Sequence, residues 1–312
     1  MSTPHVLRFG TRGSALARRQ TRIVVDLVTA AHPGVRCEVE VFSTLGDQTQ
    51  RLGTPLPLIG GKGVFTAELE HALREGRIDC AVHSLKDLPT APVDGIVIGC
   101  VPARASWRDV LVSRAGLGLD DLPARATVGT SSLRRSAQLL HRRPDLRTLD
   151  IRGNVDTRIR KALDPAGPFD ATILAAAGLD RLGIADRATE TLAEEVMLPA
   201  PAQGAIGVQC RPTGPAHELL ALVQDAATLA AVTAERSFLA ALGGGCSAPV
   251  AALARAEGGR LTVRGRVTAV DGSEQIDVSV SGMAADAEAL GAELARAALQ
   301  DGARGIVAEA QA

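Results

Sequence analysis

The chain has 312 residues, of which 46% are hydrophobic and 22% are charged; this composition excludes a disordered polymer and suggests two domains, with room for a small third. Its 34 lysines and arginines nearly balance 35 aspartates and glutamates, so the whole molecule has no field that would gather nucleic acid or a membrane surface. Aromatic residues make up only 2% of the chain, which leaves no stacking platform for single-stranded bases.

The sequence indicates a cytoplasmic protein with free thiols. No apolar run approaches the roughly 18 residues of a membrane helix, and the first 19 residues hold no apolar stretch before a cleavage site. The five cysteines, Cys37, Cys80, Cys100, Cys210 and Cys246, are odd in number and lack C-x-x-C spacing. They therefore favour neither disulfides nor a zinc site, and we expect no metal.

Residues 6–102 alternate short apolar runs with helical periods, which predicts an α/β lobe with a mostly parallel sheet. The predicted strands are 6–9, 37–43, 78–83 and 95–101, and the predicted helices run from about 15 to 31 and from 64 to 75. After Pro102 the pattern starts again, with strands 110–113, 127–129, 147–151 and 171–175 and helices 133–141 and 155–163. Two similar lobes are expected, and strand 205–210 is predicted to return to the first.

From Asp225 onward the pattern changes to that of a small α+β domain. A helix over 225–242 precedes three alternating strands, 250–255, 261–270 and 275–281, and a helix over 284–300 follows. Hairpin turns at 257–259 and 271–272 predict that the three strands form an antiparallel sheet. We expect domain 1 at 1–102 and 203–222, domain 2 at 103–202 and domain 3 at 223–312.

Positive charge is concentrated between residues 131 and 161, where nine cations and three acids give a local net charge of +6. A solvated helix face would explain such a run. Arg134 and Arg135, however, begin a helix directly after Thr130 and Ser132, where free backbone N–H groups already favour an anion. Because arginine forks bind carboxylate and phosphate groups, the other interpretation is a polycarboxylate or polyphosphate held between the lobes.

The first lobe repeats this arrangement with Arg12 and Ser14, which stand between a strand and a helix. If the arginines bind an anion, leucine at Arg135 should impair binding and not folding. Arg142 and Arg143, at the far end of the same helix, should tolerate leucine.

A second candidate site follows the buried strand 78–83, because open α/β sheets place their sites at the carboxyl ends of strands. Asp87 beside Lys86, with Lys62 in another loop, offers an acid and two cations. An ordinary surface ion pair explains these residues equally well. His83 is more simply a buried core residue, and we assign it no role.

Two glycine-rich loops are candidate sites. The loop 60–63 contains Lys62 but is no Walker motif, because Leu56 and Gly63 occupy the positions of its first glycine and its Ser or Thr. Three glycines precede Cys246, and an exposed thiol there could serve as a nucleophile or an attachment point. Spacing alone leaves that role open.

Six blocks of the sequence occur in a recognisable order: GTRGSALA (10–17), GGKGVF (60–65), VHSLKDLP (82–89), VGTSSLRR (128–135), RGNVDTR (152–158) and GGGC (243–246). Together they resemble the porphobilinogen deaminase family, also called hydroxymethylbilane synthases. Each block alone is weak evidence for the family. Six blocks in order at the family's spacing, across nearly the whole chain, are specific evidence for it.

This resemblance implies a three-domain transferase of tetrapyrrole and heme biosynthesis whose first two lobes resemble periplasmic binding proteins. Such enzymes condense four porphobilinogen molecules, each losing ammonia, into the linear tetrapyrrole hydroxymethylbilane. Cys246 matches the residue that holds a dipyrromethane cofactor through a thioether, and Asp87 matches the catalytic acid. The other matches are contacts to cofactor or substrate: Arg12, Ser14, Lys62, Ser84, Lys86, Thr130, Ser132, Arg134, Arg135, Arg152, Asn154, Arg158 and Arg181.

The chain departs from the family at Pro201-Ala202, where Val-Gly often precedes the Gln-Gly pair, and at Leu58, where many members carry a lysine. Two other classes of protein remain open. One is a binding module that clamps an anion without chemistry, and the other is a protein that binds nucleic acid through the segment of net charge +6. A covalent two-pyrrole adduct on one cysteine would indicate the enzyme alone. We expect porphobilinogen as the partner and a monomer, because no exposed apolar helix seam is evident.

Overall fold

The computed structural model describes residues 6–43, 66–243 and 248–310. Its contacts divide the chain into two compact units: Met1–Arg104 with Ala205–Leu229, which we call unit 1, and Ala105–Gly204 with Ala230–Ala312, which we call unit 2. The division into three domains stays a prediction. Lys62, Leu58 and Cys246 lie outside the described residues.

The strands are β1 (Val6–Arg12), β2 (Arg36–Phe42), β3 (Cys80–Ser84), β4 (Val97–Cys100), β5 (Asp109–Ser113), β6 (Thr127–Gly129), β7 (Arg147–Leu149), β8 (Ala171–Ala175), β9 (Glu190–Thr191), β10 (Ile206–Cys210), β11 (Val250–Glu257), β12 (Arg260–Thr268) and β13 (Gln275–Met283). The helices are α1 (Ala15–Ala31), α2 (Ala67–Arg74), α3 (Leu133–Arg142), α4 (Val155–Leu163), α5 (Ala176–Leu182), α6 (Pro215–Ala221), α7 (Ala226–Ala241), α8 (Ala287–Gln300) and α9 (Ala303–Glu309). Short 3-10 turns cover Leu85–Asp87, Ala185–Arg187 and Ala284–Asp286.

The sheet of unit 1 has the strand order β2-β1-β3-β10-β4. β1 pairs in parallel with β2 and β3, whereas β10 is antiparallel to β3 and β4. Four of the five strands therefore run in one direction. The prediction that the strand near 205–210 returns to the first lobe is confirmed.

The core of unit 1 is formed by β1 and α1. Val24 and Val28, one helical turn apart on α1, are fully buried and pack in one cluster with Leu7 and Phe9 of β1. β1 extends three residues beyond its predicted end, because Gly10 has no Cβ where the side chains of α2 and its neighbours approach. The longer strand carries Arg12 to its carboxyl end.

The first sheet of unit 2 has the order β7-β6-β8-β5-β9. β6 is parallel to β7 and β8, and β5 is antiparallel to β8 and β9. One antiparallel strand thus stands fourth in this sheet, as in unit 1. Two α/β lobes with mostly parallel sheets are confirmed.

The second sheet of unit 2 is the predicted three-stranded antiparallel sheet, in the order β11-β12-β13. Phe238 of α7 and Leu294 of α8 are fully buried against Val263 of β12. Gly265 admits the Phe238 ring, since a Cβ there would lie 2.6 Å from the ring. The expected α+β fold of the C-terminal region is confirmed.

Several short elements were missing from the prediction: β9, α5, α6 and α9, none longer than seven residues, are too short to show a clear period. The predicted helix over 284–300 begins as a 3-10 turn, and α8 starts at Ala287. Strand β7 stops two residues early, and the carbonyl of Ile151 accepts a 2.8 Å hydrogen bond from Ser131 instead. Within the ranges described, no helix is both long and apolar enough to cross a membrane.

Candidate functional site

The acid and lysine singled out in the sequence lie at the carboxyl end of β3. This strand is buried, and it runs into the 3-10 turn Leu85–Asp87. The turn is anchored by Leu85, whose side chain is fully buried and whose N–H donates a 3.1 Å hydrogen bond to the Ala205 carbonyl. Lys86 is half-buried and Asp87 is exposed, so the turn presents the carboxylate to solvent.

Two more predicted residues lie at the same edge of the unit 1 sheet. β1 and β3 are parallel neighbours, so their carboxyl ends meet at one edge and bring Arg12 towards Ser84. The Ser84 hydroxyl lies 2.9 Å from Nε2 of Gln20, which donates to it from α1. Ser14 caps α1 by accepting a 3.2 Å hydrogen bond from the N–H of Ala17. Gln20 was not predicted.

His83 lies beside this edge as the buried residue that the sequence suggested. Burial lowers the pKa of His83 to about 4; a hydrogen bond with Gln209 opposes this shift, and the charge of Arg12 adds to it. The ring is therefore neutral at pH 7.

In unit 2, Arg134 and Arg135 at the start of α3 are buried and share one carboxylate. Nη1 of Arg134 lies 2.9 Å from Asp109, and Nη2 and Nε of Arg135 donate to Asp109 at 2.7 and 3.1 Å. Burial lowers the pKa of Arg134. Leucine at Arg135 would therefore weaken folding, contrary to our expectation, because it breaks a buried ion pair.

The residues before α3 cap the helix. The Ser132 hydroxyl accepts a hydrogen bond from the N–H of Arg135 at 3.4 Å, and the Thr130 hydroxyl accepts one from the N–H of Ser132 at 3.2 Å. Two donors at the helix start are thus directed to side chains of the same loop.

The segment around Arg152 adjoins the start of α3 through the Ser131–Ile151 hydrogen bond. Nε of Arg152 donates to Asp150 at 2.9 Å, and Nε of Arg158 donates to the Gly153 carbonyl at 2.8 Å. Asn154 is the exposed N-cap of α4, and its side chain makes no capping hydrogen bond. These three predicted residues lie together at one end of α4.

Arg181 lies on α5, a helix absent from the prediction. Its Nη2 donates a 2.7 Å hydrogen bond to the Gly204 carbonyl, and burial lowers its pKa. Gly204 adopts a φ of +87°, and the carbonyls of residues 105 and 106 approach within 2.7 Å of where its Cβ would be. A glycine is required at this position.

Arg143 differs from the solvated residue that we expected at the far end of α3. It donates hydrogen bonds to the carbonyls of Leu119 and Leu122 at 2.8 and 2.9 Å and pairs with Asp145 at 2.7 Å. Arg142 is half-exposed. In the described part of the chain, its one ion-pair partner is the exposed Asp120. Arg142 is therefore the better example of a surface arginine.

The buried arginine pair carries more positive charge than its one carboxylate balances. Two guanidinium groups share the single carboxylate of Asp109, and Nε of Arg134 has no hydrogen-bond partner among the described residues. An acetate or propionate group matches this donor in charge and hydrogen bonding. The donor set thus fits a cofactor that carries carboxylates.

Two buried residues that hold the arginine pair of unit 2 were missed in the sequence: Asp109 and Gln203. Nε2 of Gln203 donates to Asp109 at 3.0 Å. A signal for Asp109 was available, because a lone acid at the head of the apolar run 110–113 must find partners when the strand is buried. Nothing in the sequence pointed to Gln203 as its partner.

Comparison with known proteins gives consistent matches. The family described as "Porphobilinogen deaminase, dipyromethane cofactor binding domain" matches residues 7–217, and its "C-terminal domain" matches 229–300. A porphobilinogen deaminase from Roseiflexus castenholzii is 48% identical over 303 residues, covering 97% of this chain and 98% of that protein. One from Syntrophobacter fumaroxidans is 45% identical over 308 residues, covering 98% of each.

Among solved structures, a YaeC-family lipoprotein from Enterococcus faecalis is similar with 13% identity and a TM-score of 0.41, covering 70% of this chain and 91% of that one. The BenM effector binding domain with benzoate is similar with 14% identity and a TM-score of 0.38, covering 71% and 91%. The two family matches and the identities over nearly the full length establish that this chain belongs to the porphobilinogen deaminase family.

Proposed function

We propose that Asp87 and Cys246 carry out, in this chain, the reaction of its family. That reaction condenses four porphobilinogen molecules head to tail, with loss of ammonia, into the linear tetrapyrrole hydroxymethylbilane. The chain is a transferase of tetrapyrrole biosynthesis and uses a dipyrromethane cofactor. The observation that carries the residue assignment is the exposed Asp87 carboxylate, held on a buried anchor at the carboxyl end of β3.

The position of Asp87 suits the chemistry. When ammonia leaves the aminomethyl group of porphobilinogen, the remaining pyrrole is electron-poor and positive charge develops on it. A carboxylate accepts hydrogen bonds from the departing amine and the pyrrole N–H, and it stabilises that charge. Lys86, half-buried in the same turn, provides a cation for the carboxylates of the substrate.

The arginines of unit 2 would bind carboxylates. Every pyrrole of the substrate carries one acetate and one propionate group, so each added ring brings two negative charges. Arg134 and Arg135 have an excess of positive charge over Asp109, and Arg152, Asn154 and Arg158 lie together at the start of α4. Thr130 and Ser132 hold the start of α3, and Arg181, Arg12, Ser14, Ser84 and Lys62 complete the proposed contacts.

Cys246 would attach the cofactor through a thioether, and the three buried cysteines are poorly suited to do so. Burial raises the pKa of Cys100 to about 12 and that of Cys210 to about 11, and it also raises the pKa of Cys80. These three remain thiols at neutral pH and are poor nucleophiles. When bound, the dipyrromethane supplies the pyrrole end to which incoming substrate is joined.

The test is the intact mass of purified wild type, Cys246→Ser and Cys37→Ser. Cys37 is the matched control, because it is the partly exposed thiol in the described part of the chain. We expect a two-pyrrole adduct on wild type and Cys37→Ser and none on Cys246→Ser. An adduct that persists on Cys246→Ser, or a pyrrole colour with acidic aldehyde reagent in that variant, refutes the assignment.

We further propose that the enzyme acts in the cytoplasm as a monomer and binds no nucleic acid. The near balance of 34 basic and 35 acidic residues supports the absence of nucleic-acid binding, since a neutral molecule is not drawn to a polyanion. Light scattering on the purified protein should give one chain per particle, and a gel-shift titration with duplex and single-stranded DNA should show no complex at physiological salt. A dimer mass would contradict the proposed monomer. A shifted band would contradict the proposed absence of nucleic-acid binding.

A further inference from the structure

Asp109 is the shared anchor of the two buried arginines at the start of α3. Its side chain is fully inaccessible to solvent, and one oxygen, Oδ1, accepts hydrogen bonds from Nε and Nη2 of Arg135 at 3.1 and 2.7 Å. The other oxygen, Oδ2, lies 2.9 Å from Nη1 of Arg134. The orientation of this carboxylate therefore sets the direction of both guanidinium planes.

A third residue determines the orientation of the Asp109 carboxylate. Nε2 of Gln203 donates to Oδ1 of Asp109 at 3.0 Å and to the Trp107 carbonyl at 2.8 Å. Gln203 is fully buried. Its amide thus bridges the backbone just before β5 and the carboxylate at the start of β5, and it holds Oδ1 towards Arg135.

The backbone around Gln203 is held in turn by Glu235 of α7. One carboxylate oxygen of Glu235 accepts a 2.6 Å hydrogen bond from the N–H of Ala202, and the other accepts a 2.8 Å bond from the N–H of Ala254. Ala202 has a φ of +62°, an unfavourable conformation for a residue with a side chain. Glu235, itself held by the N–H of Ala254, thus maintains a strained backbone immediately before Gln203.

We propose that Gln203 is a positioning residue for substrate and cofactor carboxylates, acting through Asp109 on Arg134 and Arg135. The inference rests on the proposed function, in which these arginines bind carboxylates. Gln203 is fully buried, so in this proposal it acts through Asp109 and not directly on the carboxylates of the ligand. It keeps the carboxylate turned so that the guanidinium groups point their remaining N–H donors towards the anion.

The test is a double-mutant cycle between Gln203→Met and Arg135→Lys, with KM and kcat for porphobilinogen measured on protein whose adduct has been quantified by mass. Methionine has nearly the volume of glutamine but no amide donor. We expect Gln203→Met alone to raise KM about tenfold, with kcat changed less than about twofold, because a hydrogen bond to a charged group is lost and uniform binding weakens. In the Arg135→Lys background the same change should raise KM less than about twofold.

Gln275→Met is the matched control, since Gln275 also donates from its amide to a carboxylate, Asp277 at 2.9 Å, but on the exposed strand β13. It should leave KM unchanged. If Gln203→Met does not fold, Glu235→Gln replaces it; this variant leaves Gln203 in place but deprives one backbone N–H of its acceptor, and it should raise KM in the same direction.

The outcomes separate the two proposals. A normal KM in Arg135→Lys would refute the role of the arginine in binding, and with it the proposed function of the pair. A raised KM in Arg135→Lys together with a normal KM in Gln203→Met would refute the positioning role alone. An equal KM increase from Gln203→Met in both backgrounds would also refute it, because Gln203 would then act independently of Arg135.

Discussion

His141, at the end of α3, donates a 2.8 Å hydrogen bond from Nδ1 to the carbonyl of Gly272 in the turn between β12 and β13. One turn earlier on the helix, Gln138 accepts a 3.1 Å hydrogen bond from Arg266 of β12. The C-terminal sheet therefore holds the helix whose first turn carries Arg134 and Arg135. Within unit 2, the placement of the arginines depends on residues more than 120 positions away in sequence.

Gly272→Ala should destabilise unit 2 more than Gly258→Ala does. Both glycines have positive φ, +79° and +56°, so both variants carry the same backbone strain. A Cβ at Gly272 would in addition lie 2.5 Å from the backbone nitrogen of His141, whereas nothing lies within 4 Å at Gly258. We expect Gly272→Ala to lose about 1–3 kcal/mol more, measured by urea unfolding. Equal losses of unfolding free energy in the two variants would mean that the turn at Gly272 does not pack closely against α3.

Asp87→Asn should keep its fold and adduct but lose turnover by about 10²-fold or more, because the substitution removes the charge while preserving the shape. Asp94→Asn, at an exposed aspartate in the turn before β4 of the same unit, should turn over as wild type does. The measurement is hydroxymethylbilane formation under saturating substrate. Near-normal turnover in Asp87→Asn would move the acid to another residue.

Arg152→Leu and Arg142→Leu should separate a binding arginine from a surface one. Each arginine pairs with a partly exposed aspartate, at 2.9 Å to Asp150 and at 2.8 Å to Asp120, so neither substitution should cost much stability. We expect Arg152→Leu to lower kcat/KM by about 10- to 100-fold through loss of a charge-assisted contact, and Arg142→Leu to leave it unchanged. The same kcat/KM in both variants would make the arginine-rich segment a charged surface only.

His83 should make the free energy of unfolding depend on pH between 4 and 6.5. Burial holds its pKa near 4, against 6.5 for a free histidine, so the unfolded chain binds a proton that the folded chain does not in this window. Stability rises with pH wherever the unfolded state binds more protons. His83 alone should therefore cost the wild type about 2 kcal/mol on going from pH 7 to pH 5.

The measurement is urea unfolding of wild type, His83→Gln and His71→Gln at pH 5 and pH 7. His83→Gln should lose about 2 kcal/mol less than wild type between the two conditions. His71 is exposed and pairs with Glu75 at 3.0 Å on the helix surface, so its replacement should change the stability difference by less than about 1 kcal/mol. An unchanged pH dependence in His83→Gln would show that the ring is not held neutral by burial.

The regular elements of the site were readable because their causes are local. Ser14 and Ser132 were recognisable as helix starts, and both proved to be N-caps. The buried run before Ser84 was recognisable as a strand, and its carboxyl end carries Asp87. Short elements such as α5, which carries Arg181, were not readable, because seven residues show too little period.

The sequence by itself determined the fold class, the family and the identity of the candidate site residues, since periodicity, capping and ordered motifs are written in neighbouring residues. The tertiary structure alone decided how the arginines are held. Arg135 meets Asp109 across 26 positions and Asp109 meets Gln203 across 94, and no local pattern encodes such pairs. A buried charge must find its partner wherever the fold brings one, so burial, and not the order of the residues, separated the anchored Arg135 from the solvated Arg142.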